Sequence, residues 1–168
     1  MISDVVVVTV AALPVAVLVV WALARRRGGS GPAWRQSLAE VGVVYGTAPW
    51  IWMILTPGPG DDVRVNVVPL RDLADVLSGG VWTATVQIVG NLLVFAALGF
   101  FGPIRFAALG SVLRMLALAA GLSVLVEVAQ YVLRLGRVSS VDDVLLNAAG
   151  AGLAVLLSRR WVTHGRAT

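Results

Sequence analysis

The sequence predicts an all-α protein: a polytopic transmembrane bundle of about five helices with one short ordered outer loop. Three observations carry this reading. The chain of 168 residues is 58% hydrophobic and 13% charged, against about 25% charged in soluble domains. Its apolar residues gather into five runs on the scale of the roughly 20 residues that cross a bilayer. Cysteine is absent, which removes disulfides and thiolate chemistry. Five spans use the available length, so residues 1–168 read as a single transmembrane domain.

Run one is Val5–Ala24, with Pro14 expected to kink it and Arg25, Arg26 and Arg27 closing it. It lacks a basic stretch before the apolar residues, so a cleaved signal peptide is not expected. Gly28 to Pro32 reads as a flexible link. Run two covers about Leu38–Thr56, with Trp50 and Trp52 as an interfacial belt. Pro57, Gly58, Pro59 and Gly60 break it. Run three covers about Val81–Phe101, run four Ala107–Leu133 and run five Val144–Leu157. Between runs two and three, Leu70, Leu73 and Leu77 repeat at helical spacing, which predicts a short interfacial helix over Leu70–Leu77. No internal repeat or low-complexity segment is visible.

All thirteen basic residues are arginines, and the net charge is +4. If the runs alternate, Arg25, Arg26, Arg27, Arg35, Arg105, Arg159, Arg160 and Arg166 share one side, and Arg64, Arg71, Arg134 and Arg137 share the other. Positive charge favours the cytoplasm. The expected topology is therefore N-terminus outside and C-terminus cytoplasmic. The loop after run two and the turn between runs four and five then share the outer face. No basic, aromatic-interleaved soluble surface exists, so nucleic acid is not an expected partner. His164 is the one histidine, so neither a histidine metal site nor a Ser-His triad has material. No metal or cofactor is expected. Asp61 and Asp62 are adjacent acids, a weak cation signal on their own.

The chemistry is concentrated where run four meets run five. Glu127 and Gln130 are three apart and share a helical face, which Arg134 continues. Glu127 lies about 10 Å deeper than Arg134 at 1.5 Å per residue. A carboxylate there must be protonated, paired or in a polar cavity. Arg137 is the nearest well-placed cation, so a structural Glu127–Arg137 pair and a ligand-facing role both stand, the second favoured because intramembrane charges tend to be functional. Asp143, Asn147 and Gly150 line one face of run five. That run looks short: Asp143 to Ser158 covers about 24 Å against about 30 Å of hydrocarbon, which would draw Asp143 and Asn147 toward the membrane or thin the bilayer locally. Ser140 and Asp143 have capping-box spacing, so Asp143 could cap, serve a site, or both, while Asp142 reads as capping or solvated. Asn147 with Gly150 could equally be helix–helix glue. Thr83 and Gln87 read as packing on run three, and Asn91 is open. Glu40, five residues after Arg35, reads as an interfacial pair. Tyr45 and the six tryptophans read as belts and packing.

Taken in order, Asn66-Val67-Val68-Pro69, Asn91-Leu92-Leu93-Val94-Phe95 with Leu98-Gly99-Phe100, the Ser123…Glu127…Gln130 helix, Arg137, and Asp143…Asn147…Gly150 resemble the VanZ-like family of bacterial membrane proteins. The resemblance covers about residues 66–152. Ala97 stands where the family usually has proline, which puts a kink in run three in doubt. By position the resemblance implies Asn66, Pro69, Asn91, Glu127, Gln130, Arg137, Asp143, Asn147 and Gly150 as the family's polar and motif residues. It also implies a bacterial cell-membrane location and a link to low-level resistance to teicoplanin-type glycopeptides. No settled biochemical activity comes with it.

The reading that follows is a cell-envelope membrane protein binding a polar headgroup, of a membrane lipid or lipid-linked cell-wall intermediate, in an outward-facing pocket. Arg137, with Arg71, would meet phosphate. Glu127 would hold an arginine or accept a sugar hydroxyl, and Gln130, Asn147 and Asn91 would supply neutral hydrogen bonds. Two alternatives stand beside it. One is an enzyme acting on a lipid-linked substrate through a Glu127/Asp143 pair. The other is a structural or partner-binding protein whose polar set docks helices. Protein partners are left open.

Overall fold

A computed structural model describes residues 2–58 and 64–164. Asp61, Asp62, Pro59 and Gly60 lie outside the described residues, as do the side chains of Arg64, Arg160 and His164. Among the described residues, five helical segments are long and apolar enough to cross a membrane: Ser3–Arg26, Gly31–Leu55, Val81–Arg105, Val112–Val132 and Val141–Arg159. The chain is an all-α polytopic bundle.

α1 (Ile2–Arg26) runs unbroken through Pro14. A tight turn follows, with Gly28 and Gly29 at positive φ. α2 (Gly31–Leu55) starts well before the expected Leu38, because the stretch read as a link holds the start signal. Ser30 Oγ accepts the Ala33 N–H, and Pro32 occupies the first turn.

The described part of the segment after α2 is more structured than expected. β1 (Arg64–Asn66) pairs in parallel with β2 (Val138–Ser140), aligning Arg64 with Val138 and Asn66 with Ser140. α3 (Arg71–Ser78) is a short helix where Leu70–Leu77 predicted one. The third apolar run is two helices, α4 (Val81–Val94) and α5 (Ala96–Arg105), interrupted at Phe95. The break therefore forms with Ala97 in place of proline. A 3-10 turn (Ala107–Gly110) leads to α6 (Val112–Val132).

Arg134 does not continue the Glu127 face, because α6 has already ended. It takes φ 50°, while the Leu135 N–H reaches Gln130 O and the Arg134 N–H reaches Tyr131 O. That is a Schellman closure with arginine where glycine usually stands. α7 (Val141–His164) spans 24 residues, about 36 Å by helical rise. Its apolar stretch, Val141–Arg159, covers 19 residues, about 28 Å by the same rise.

α7 is the central helix. Half of its apolar span is buried, against 6% for α1. It packs on α4, α5 and α6, while α5 also packs on α2 and α1 rests on α2. Small residues permit this closeness. A Cβ at Gly150 would fall on the Leu92 carbonyl of α4, and one at Gly99 on the Ala151 carbonyl of α7. On α2, Gly42 and Gly46 receive Phe101 and Ala97 of α5 in the same way. Val94, Phe95, Met115, Ala119, Ala148, Ala151 and Val155 form the apolar core. Tyr45 is more than packing: its hydroxyl donates to Thr9 O at 2.6 Å, tying α2 to α1. Near the end opposite α3, Glu40 accepts from Arg27 and Arg105, joining the α1–α2 turn to α5.

Candidate functional site

At the bundle end that carries α3 and the ribbon, a cavity of about 510 Å³ opens between five helices. Each helix contributes one face, as helical periodicity requires. α4 supplies Gln87, Gly90, Asn91 and Val94, at i, i+3, i+4 and i+7. α2 supplies Trp50, Met53 and Ile54, and α6 supplies Val126, Glu127 and Gln130. α7 supplies Asp143 and Asn147, and α3 supplies Asp72, Asp75 and Val76. Arg137, Val138 and Ser140, between α6 and α7, close the ring.

Six residues singled out from sequence therefore meet here: Asn91, Glu127, Gln130, Arg137, Asp143 and Asn147. Their partners differ from expectation. No Glu127–Arg137 ion pair is present among the described residues. Glu127 Oε2 accepts the Ser140 N–H at 3.1 Å, and Ser139 Oγ donates to the Glu127 carbonyl. Ser140 caps α7, its Oγ accepting the Asp142 N–H. A capping box would return an acid of the same helix to the Ser140 N–H. Here that acid comes from α6, and Asp143 instead accepts from Asn91 Nδ2, linking α7 to α4.

Arg137 secures the end of α2. Its Nε donates to Thr56 O at 3.0 Å and its Nη2 to Met53 O at 3.1 Å. Gln130, buried, donates to Ile54 O between them. These carbonyls belong to the last turn and cap of α2, where helix geometry leaves acceptors over; locally, among the described residues, only the Thr56 N–H reaches Met53 O, at 3.4 Å. The Gly58 N–H adds a bond to Leu135 O. Asn147 Nδ2 donates to Ser123 Oγ at 2.7 Å, so the glue role expected for Asn147 and Gly150 is present on α7.

Asn66, Pro69 and Arg71 do not line the cavity. Asn66 builds the loop: its Oδ1 accepts the Val68 N–H and its Nδ2 donates to Asp72. The Arg71 N–H closes a turn onto Val68 O, with Pro69 and Leu70 at its corners and Leu70 at φ 65°. Proline first and positive φ second is the type II pattern. Arg71 is exposed and stands outside the cavity lining.

Asp142 is neither solvated nor a cap for its own helix. It is 3% exposed, and its two oxygens accept the Leu70 N–H at 2.5 Å and the Leu73 N–H at 3.0 Å. It thus caps α3 from α7. Gln87, expected to pack, is exposed and lines the cavity, and Thr83 is exposed. Trp50, expected in a belt, forms part of the wall and packs on the core. Sequence reasoning passed over Asp72, Asp75 and Gly90. Their signal was spacing: Asp72 and Asp75 are three apart on α3, and Gly90 shares the Gln87–Asn91 face.

A family model described as VanZ/LLP1 matches residues 42–162. The chain belongs to the VanZ/LLP1 family. No curated protein and no solved structure matches it significantly. The VanZ/LLP1 match is wider than the 66–152 core read from motifs, and it takes in the α2 wall of Trp50, Met53 and Ile54 as well as every other cavity helix. It leaves out α1 and the first turns of α2.

Electrostatically the VanZ/LLP1 cavity is acidic. Glu127 lies in the field of Asp143 and Asp72, and Asp143 in that of Asp72 and Asp142, offset in part by Arg137. No group of three or more His, Cys, Asp or Glu side chains could hold a metal ion among the described residues.

Proposed function

We propose that this VanZ-like membrane protein sits in the bacterial cell membrane and binds the polar headgroup of a membrane lipid or lipid-linked cell-wall intermediate in this cavity. The observation that carries the reading is the cavity itself. About 510 Å³ of space lies within the 300–1,000 Å³ typical of small-molecule sites. Polar side chains from three membrane-spanning helices, α4, α6 and α7, converge on it, and polar groups within such segments are read as functional by default. The proposed orientation, with α3 outside and the C-terminus cytoplasmic, follows from the arginine asymmetry. It would put the cavity on the face where cell-wall intermediates are used, and the proposed phenotype is altered sensitivity to teicoplanin-type glycopeptides.

The bonds made by Glu127, Gln130 and Arg137 favour a second reading, in which the polar set docks helices and binds nothing. Gly90→Leu separates the two. Gly90 shares the cavity face of α4, and a Cβ there meets nothing within 4 Å. The substitution projects a bulky apolar side chain into the cavity, and Gly90 takes part in none of the capping bonds. Native mass spectrometry of the purified protein should show a co-purifying lipid that Gly90→Leu loses at unchanged melting temperature. Equal lipid retention in both proteins would move binding out of the cavity. Reporter fusions after Arg27 and after Arg160 should report cytoplasm, and one at Asp61 the exterior; an exterior signal after Arg160 would refute the orientation.

A further inference from the structure

We infer that the cavity selects a protonated primary amine, carried by a lipid headgroup or free in solution. For the lipid source, the inference rests on the headgroup reading above. Two independent observations lead to it.

The first is the balance of charge. Asp72, Asp75, Glu127 and Asp143 line the cavity against one guanidinium, Arg137. That guanidinium already donates to two α2 carbonyls. A phosphate would enter an acid-rich space whose single cation already spends two of its donors on backbone carbonyls. A metal ion is not accommodated either, since the acids do not cluster tightly enough among the described residues.

The second is the state of the neutral groups. Asn147 is 3% exposed and lines the cavity, and its Oδ1 is buried without a donor. Its amide NH₂ is used by Ser123. The amides of Asn91 and Gln130 likewise donate to protein acceptors, Asp143 and the Ile54 carbonyl. Each of these amides thus already spends a donor on the protein, while the Asn147 Oδ1 has no donor at all and the carboxylates keep acceptor capacity. A ligand that matches supplies donors and positive charge. An ammonium group has three donors and no acceptor, and its bonds to carboxylates are of the strong, charge-assisted kind.

The test compares three lipids in native mass spectrometry titrations of the full-length protein: phosphatidylethanolamine, its N-acetylated form and phosphatidylglycerol, with identical acyl chains. Ethanolamine is titrated separately by calorimetry. Phosphatidylethanolamine should bind about tenfold or more tighter than the other two lipids, the scale of one charge-assisted bond. Asp143→Asn and Asp75→Asn should each shrink that ratio. Asp143→Asn keeps an acceptor for Asn91, and Asp75 makes no side-chain bond on exposed α3, so melting temperature should hold in at least the second variant. Binding of free ethanolamine with no lipid preference would still support the amine and place its source in solution. Equal affinity for the N-acetylated lipid or phosphatidylglycerol, with no ethanolamine binding, would overturn the amine inference and leave headgroup binding standing. Failure of all three lipids and of ethanolamine would overturn both.

Discussion

Asp142→Ala should release α3 from the bundle without melting the bundle. The carboxylate reaches from α7 to the Leu70 and Leu73 N–H groups, at 2.5 and 3.0 Å, the donors that a cap must satisfy at a helix start. Bonds to a charged group are worth about 1.5–3 kcal/mol each, so the pair contributes about 3–6 kcal/mol to docking. α3 has little to replace it. It is eight residues long with none buried, well under the roughly 12–15 residues an isolated helix needs, and Leu70 holds a left-handed φ of 65° that costs about 1–2 kcal/mol. The Asn66–Asp72 bond and the three-residue ribbon remain, so the lower figure is the safer one. At about 1.4 kcal/mol per factor of ten, hydrogen exchange at the α3 amides should accelerate roughly a hundredfold. Amides of α6 and α7 around Ser123 and Ala151, in the core, should keep their protection. Asp142→Asn keeps one acceptor oxygen and should fall between. Undocking would also withdraw Asp72 and Asp75 from the cavity, so ligand binding should weaken in parallel. Unchanged α3 exchange in Asp142→Ala would show that the cap is not what holds this helix.

Glu127→Ala should lower stability in thermal melts by about 1–3 kcal/mol, the cost of stranding the Ser140 donor, whereas Glu127→Gln, whose amide oxygen can still accept, should stay within about 0.5 kcal/mol. Equal losses would mean that charge, not the cap, matters. Gly150→Ala and Gly99→Ala each place a Cβ on a neighbouring carbonyl and should cost about 1–3 kcal/mol by overpacking. Gly121→Ala, with nothing within 4 Å, should cost nothing; similar melting of all three would refute the close approach. Arg134→Gly should raise stability by about 1 kcal/mol by relieving a left-handed arginine, and a fall in melting temperature would indicate that the arginine side chain contributes more than its backbone strain costs.

What the sequence alone determined was membership and placement. Apolar runs announce spans because hydrocarbon tolerates little else, and this holds whatever the neighbours do. Helical spacing brought Glu127 with Gln130, and Asp143 with Asn147, onto shared faces, because periodicity is local. The ordered motifs from Asn66 to Gly150 carried the family. Partners were not legible. Asp142 looked like the cap of its own helix and caps α3, some seventy residues away in sequence. Arg137 looked like a counter-ion for Glu127 and holds the end of α2. Glu127 fills the capping-box place that Asp143 has by spacing. In each case several backbone donors or acceptors were available to one side chain, and only the relative positions of α2, α3, α6 and α7 decide which is within reach. The two strands were invisible for a related reason: three residues are too few to show a period, and they form because the post-α2 loop and the α6–α7 turn are brought side by side. The acidic character of the cavity is likewise a tertiary property, since Asp72 and Asp75 become part of it when Asp142 docks α3 over its mouth.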